Sequence, residues 1–64
     1  MADKLRFVVY RDAKQEYRWR LVASNGNIIA DSGEGYVERR DCMVGIDLVK
    51  GADRTTAVED QTRG

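Results

Sequence analysis

The sixty-four residues carry eleven lysines and arginines against eleven aspartates and glutamates, with one cysteine and no histidine. Balanced charge excludes a net field steering the whole chain to nucleic acid or membrane. A single cysteine excludes an intramolecular disulfide, and without histidine a structural zinc site has no ligand set. A chain this short forms one domain at most and buries only about 60% of its unfolded surface, so a partner chain is its remaining route to a larger core.

Met1-Ala2-Asp3-Lys4 lacks the apolar run of a signal peptide, and no segment approaches the ~20 apolar residues of a membrane span. A cytoplasmic location without membrane contact is the expectation. Leu5–Tyr10 is β-branched and aromatic and reads as a first strand, with Leu5, Phe7 and Val9 on one face and Arg6, Val8 and Tyr10 on the other. The polar run Arg11–Glu16 connects it to the next strand, with no glycine or proline to fix a turn type.

Tyr17–Ser24 alternates with period two. Tyr17, Trp19, Leu21 and Ala23 share one side; Arg18, Arg20, Val22 and Ser24 share the other, the pattern of a sheet with one buried face. Asn25-Gly26 predicts a two-residue type I′ turn. Positions summing to 51 then face each other, so Ile28 stands opposite Ala23, Ala30 opposite Leu21 and Ser32 opposite Trp19. The return strand Asn27–Ser32 thereby adds Ile28 to the Trp19 face and Ile29 to the other. That second face mixes Val8, Tyr10, Val22 and Ile29 with Arg6, Arg18 and Arg20, more apolar surface than a solvated face needs, which suggests partial cover by another chain.

Gly33-Glu34-Gly35-Tyr36 is read as the break in the sheet. It precedes a helix but lacks the Lys-Ser/Thr ending of a phosphate loop, and Glu34 would repel phosphate. Glu38–Lys50 changes period: Cys42, Ile46 and Val49 form an apolar stripe, acids start the segment and Lys50 ends it. Gly51 suits the C′ position, and Gly45 permits close approach to the sheet. Thr55–Val58 is compatible with a short edge strand, and Gln61–Gly64 with a disordered end.

The expected fold is α+β, three antiparallel strands followed by one helix (β-β-β-α, with that short C-terminal strand in addition), in a single domain over residues 1–64 with a structured core of about 5–60. Phe7, Trp19, Leu21, Ile28, Cys42, Ile46 and Val49 are assigned to the core or a dimer interface, where aromatic burial dominates. Arg6, Tyr10, Arg18 and Arg20 form the alternative, a sheet face able to take nucleic acid by stacking and phosphate contact. Glu16, Asp31 and Glu34 supply a blander account of the same arginines through cross-strand charge pairs. Cys42 has no histidine to serve as its base and lies on the apolar stripe, so no catalytic constellation forms and no cofactor or metal is called for.

Tyr17-Arg18-Trp19-Arg20-Leu21, Asn25-Gly26, Ile29-Ala30, Ser32-Gly33-Glu34-Gly35-Tyr36, Gly45-Ile46 and Val49-Lys50 together resemble the YegP-like family of small uncharacterised proteins. With the first strand the match runs over roughly residues 5 to 51. The resemblance implies a three-stranded meander followed by a helix, a unit that members often carry twice; a single-unit chain is then expected to pair with itself. It implies no reaction. The chain departs from the pattern with Glu38 where Ser is usual, which weakens the helix cap, and with Val44 where Asn is usual, which points an apolar group away from the main stripe. The reading is a cytoplasmic homodimer, structural or protein-interacting and not an enzyme, with the nucleic-acid-binding module as its alternative.

Overall fold

The computed structural model describes residues 4–62. Three strands, β1 (Arg6–Arg11), β2 (Tyr17–Val22) and β3 (Ile28–Asp31), precede one helix, α1 (Arg39–Lys50). The strands form one antiparallel sheet in the order β1-β2-β3. The α+β expectation and the element order hold. Arg6 faces Val22, Phe7 faces Leu21, Val9 faces Trp19 and Arg11 faces Tyr17. The odd-numbered apolar residues therefore meet on one side, as the alternation predicts.

The first connection is built on Asp12. Its backbone N–H donates to the Glu16 carbonyl (3.0 Å), and Gln15 N–H donates to its carbonyl (2.9 Å). One carboxylate oxygen, Oδ1, accepts from the N–H groups of Lys14 (2.8 Å) and Glu16 (3.1 Å). Aspartate is favoured at such starts because its side chain can close a turn on the backbone two residues on.

The second connection corrects the expected turn. Gly26 has φ of +90°, but Asn25 is not left-handed. Gly26 N–H donates to Ala23 (2.9 Å) and Ala23 N–H donates to Asn27 (2.9 Å), enclosing three loop residues instead of two. Asn-Gly serves this geometry equally well, with glycine alone in the left-handed position. The register follows the expected pairing at Leu21–Ala30 but breaks next to it, so that Ile28 stands opposite Val22 and not opposite Ala23. The irregularity is a β-bulge. Ile28 is 58% exposed and lies outside the core of the single chain.

Gly33-Glu34-Gly35 is an excursion from the sheet, not its end. Ser32 N–H still donates to Trp19 (2.9 Å), and Tyr36 then returns to exchange two hydrogen bonds with Tyr17, at 2.7 and 2.8 Å. Gly33 is left-handed at φ +73°, and the Asp31 carboxylate accepts its N–H at 3.0 Å. The bridge to Tyr17 sets the point from which the chain turns into α1.

The helix forms where the period changed. Glu38 is its N-cap and makes no side-chain cap hydrogen bond. Gly51 is the C-cap with φ of −76°, so the expected left-handed C′ glycine is not formed; its N–H reaches back to Asp47 (3.1 Å) and Leu48 (3.2 Å). The expected strand at Thr55–Val58 is also absent. Asp53 instead closes a turn, accepting from Thr55 N–H (2.8 Å) and, through its carbonyl, from Thr56 N–H (2.9 Å). A lone extended segment has no ladder partner to hold it straight. Gln61 and Thr62 are exposed and without regular structure, while residues 63 and 64 of the expected disordered end lie outside the described residues, as do Met1–Asp3. Among the described residues no helix is long and apolar enough to cross a membrane.

Candidate functional site

The helix side of the sheet is a packed core. Trp19, Cys42 and Ile46 are buried, and Phe7, Val9, Tyr17, Leu21, Ala30, Tyr36, Met43 and Val49 pack around them. Phe7 meets the Trp19 ring edge-on at a centroid distance of 5.5 Å, a geometry favoured by the ring quadrupoles. Gly45 lets the helix come close to the sheet: a Cβ there would lie 2.9 Å from Tyr36 Oη and 3.2 Å from Trp19 Nε1. The Trp19 Nε1 atom is buried with no hydrogen-bond partner, beside the Tyr36 hydroxyl. Burial pushes the Tyr36 phenol up from its ordinary range, and the Glu34 charge adds to it. Phe7, Trp19, Leu21, Cys42, Ile46 and Val49 thus all come together in the core of one chain.

Cys42 is fully buried, and burial raises its thiol pKa, with the nearby Arg39 opposing in part. A protonated, enclosed thiol is a poor nucleophile. The described residues enclose no pocket beside it.

The opposite side of the sheet carries the arginines. Register places Tyr10 against Arg18 and Arg6 against Val22, so Arg6, Tyr10, Arg18 and Arg20 share that side as expected. Their partners differ from the expected ones. Arg18 Nε donates to Asp12 Oδ2 at 2.6 Å, which holds the Asp12 carboxyl below its usual range and raises Arg18. The Arg20 guanidinium lies 4.3 Å from the Tyr10 ring centroid, a cation–π contact. Asp31 faces Arg20 in register, yet the ion pair formed on this sheet is the Asp12–Arg18 one. At the strand end, Arg11 donates to the Tyr17 hydroxyl at 2.6 Å and sits 4.8 Å over its ring. Arg18 and Arg20, two of the three arginines offered to a phosphate backbone, are therefore engaged within the chain.

Asp12 and Arg11 were not singled out by sequence reasoning. An aspartate opening a polar hairpin connection, six residues before an arginine on the next strand, was the available signal. Exposed apolar groups form a third set: Leu5, Ile28, Ile29, Val37, Val44, Leu48 and Val58 are each at least half exposed.

Comparison with known proteins places this architecture. A solution structure of a protein from Haloferax volcanii superposes with a TM-score of 0.74 at 46% identity, covering 92% of this chain and all of that one. A UPF0339 protein of Neisseria meningitidis serogroup B is 48% identical over 54 residues, 84% of this chain and 95% of that protein. A UPF0339 protein of Stutzerimonas stutzeri, encoded 5′ of the ptx operon, is 43% identical over 44 residues, which are 69% of this chain but only 39% of that protein. Residues 12–60 match the family described as a domain of unknown function, DUF1508. The expected YegP-like resemblance is thereby met, and the chain belongs to the uncharacterised DUF1508/UPF0339 family.

Proposed function

We propose that the chain works as a cytoplasmic homodimer, a structural or protein-interaction module without catalytic chemistry of its own. One observation carries the reading. A compact monomer of 7.3 kDa would expose about 4,200 Å²; this chain exposes 5534 Å². Its radius of gyration, 13.7 Å, likewise exceeds the roughly 11 Å of a compact domain of this length. Much of the excess belongs to the exposed segment after Gly51; on the folded part, Leu5, Ile28, Ile29, Val37, Val44 and Leu48 are left open. A stable interface needs about 800 Å² per partner, and these apolar side chains are the surface available to it.

The interface is drawn from the exposed set, since Trp19, Cys42 and Ile46 are already used inside the chain. The nucleic-acid alternative loses support from the Asp12–Arg18 and Tyr10–Arg20 contacts, both of which would have to be given up or shared with a phosphate or base. Light scattering coupled to size exclusion at micromolar concentration tests the reading. Twice the chain mass supports it; a folded species of single mass at all concentrations up to millimolar overturns it.

A further inference from the structure

We infer that the outer edge of β1 receives an acidic, extended segment of another protein, which joins the sheet as a fourth strand. The inference rests on the protein-interaction part of the reading above and names its surface and partner; it does not require two copies of this chain.

The hydrogen-bond ladder leaves this edge open. Bonded pairs alternate along an antiparallel ladder. Asp12 N–H donates to Glu16 (3.0 Å), so Tyr10–Arg18, Val8–Arg20 and Arg6–Val22 are the bonded pairs that follow it. The odd-numbered residues of β2 agree: Tyr17 N–H donates to Tyr36, and the Trp19 carbonyl accepts from Ser32, both on the β3 side. Phe7, Val9 and Arg11 therefore turn their N–H and C=O groups outward. β1 is six residues long, holds no proline and keeps its register throughout. The other edge strand, β3, has four residues, an irregular register, and Asp31 folded back onto Gly33 N–H. Short length and bulges are ordinary protections of a sheet edge, and β1 has neither.

The side chains along the edge say what fits. α1 lies over β2, and on the same side Phe7 and Val9 stay only partly buried at the margin of the core. Arg6, Val8 and Tyr10 stand on the other side. A strand laid beside β1 sets alternate side chains against these two rows. Charge then selects their chemistry. Residues 4–20 hold six lysines and arginines against two acids, whereas residues 21–62 hold four against eight. The balanced chain is thus divided into a basic first hairpin and an acidic remainder. Arg6 has no ion-pair partner among the described residues. A segment alternating apolar and acidic residues places its apolar groups beside Phe7 and Val9 and its acids beside the arginine row.

The probe is a capped eight-residue peptide of alternating valine and glutamate, titrated into the full chain at low salt and followed by NMR. Amide exchange at Phe7 and Val9 should slow on binding, with that at Val8 and Tyr10 unchanged, because only the first two point outward. The same peptide N-methylated at alternate residues should bind more than about tenfold more weakly, as should the valine–lysine peptide. Arg6→Glu should weaken binding several-fold, while Arg54→Glu, the same charge change in the exposed C-terminal segment, should leave it unaltered. Equal binding of the N-methylated peptide, or unaltered exchange at Phe7 and Val9, overturns the edge as the site. Slow exchange at both residues in the peptide-free chain means that a second copy holds the edge, and overturns the inference. A thymidine decamer that binds where the acidic peptide does not assigns the basic hairpin to nucleic acid and overturns it too. No binding at millimolar peptide, in a chain that light scattering shows to be paired, overturns this partner and leaves the homodimer reading standing.

Discussion

Gln15 and Gly26 occupy the same position in two hairpin loops built on one plan. In each loop the residue three before it accepts its N–H, that earlier residue donates to the residue after it, and φ is positive, +66° for Gln15 and +90° for Gly26. Glycine enters this region freely; glutamine does not, and a side chain there costs about 1–2 kcal/mol. The Asp12 carboxylate is what holds Gln15 in place, through Lys14 and Glu16 N–H.

The two loops should therefore respond oppositely. Gln15→Gly should stabilise the fold by about 0.5–1 kcal/mol, after the extra chain entropy of glycine is counted. Gly26→Ala should destabilise it by about 1–2 kcal/mol, although nothing lies within 4 Å of the added Cβ, because the cost is in the backbone alone. Urea unfolding followed by Trp19 fluorescence measures both; equal signs would refute the shared plan.

Gly45→Ala sets two effects against each other. Alanine gains about 1 kcal/mol of helix propensity over glycine. The new methyl would press on Tyr36 Oη and Trp19 Nε1, both at the ends of rigid rings, and overpacking of this kind costs about 1–3 kcal/mol. Net destabilisation of about 1 kcal/mol is expected. Tyr36→Phe removes the nearest atom, so the same substitution made in that background should cost less. A double-mutant cycle in urea checks the coupling, and a stabilising Gly45→Ala in the wild type would show that the helix is free to move off the sheet.

Acid should loosen the first hairpin. The Arg18 guanidinium, then the Glu16 and Lys14 N–H groups, hold the Asp12 carboxyl below its unfolded value. A depressed folded pKa gives stability that is present above the unfolded value and lost as pH falls through the folded one, so the loss begins below about pH 4. Asp53 and Asp60 shift in the same direction through Thr55 and Thr62, but in the exposed C-terminal segment. Asp12→Asn should flatten the acid limb of a stability profile between pH 5 and about pH 2, whereas Asp60→Asn should leave it nearly intact. An unchanged limb in the Asp12 variant would place the acid sensitivity elsewhere.

Much of this architecture was legible in the residue pattern, and the misses share a cause. Alternation along Phe7–Val9 and Tyr17–Leu21 assigned the covered face, and the change of period after Tyr36 located the helix, because both are consequences of fixed side-chain geometry. The same alternation put Arg6, Arg18 and Arg20 together. It could not reveal that Arg18 would be taken by Asp12, a loop residue whose reach depends on how the turn closes. Nor could Asn25-Gly26 distinguish a two-residue from a three-residue turn, and that single residue moved Ile28 from opposite Ala23 to opposite Val22. Tyr36 rejoining Tyr17 was hidden for a similar reason, since glycines signal freedom without saying where it leads.

Every regular element touches β2: β1 and β3 pair along its two edges, α1 lies on its face, and Tyr36 bridges to its first residue. Losing either outer strand still leaves a two-stranded ribbon under the helix, whereas losing β2 removes both strand pairings and the main seat of the helix. Its amide hydrogens should accordingly be the last to exchange with solvent deuterium; the two hairpins on its edges close over short stretches of chain, whereas packing of α1 on Trp19 closes a longer one and should come later in folding.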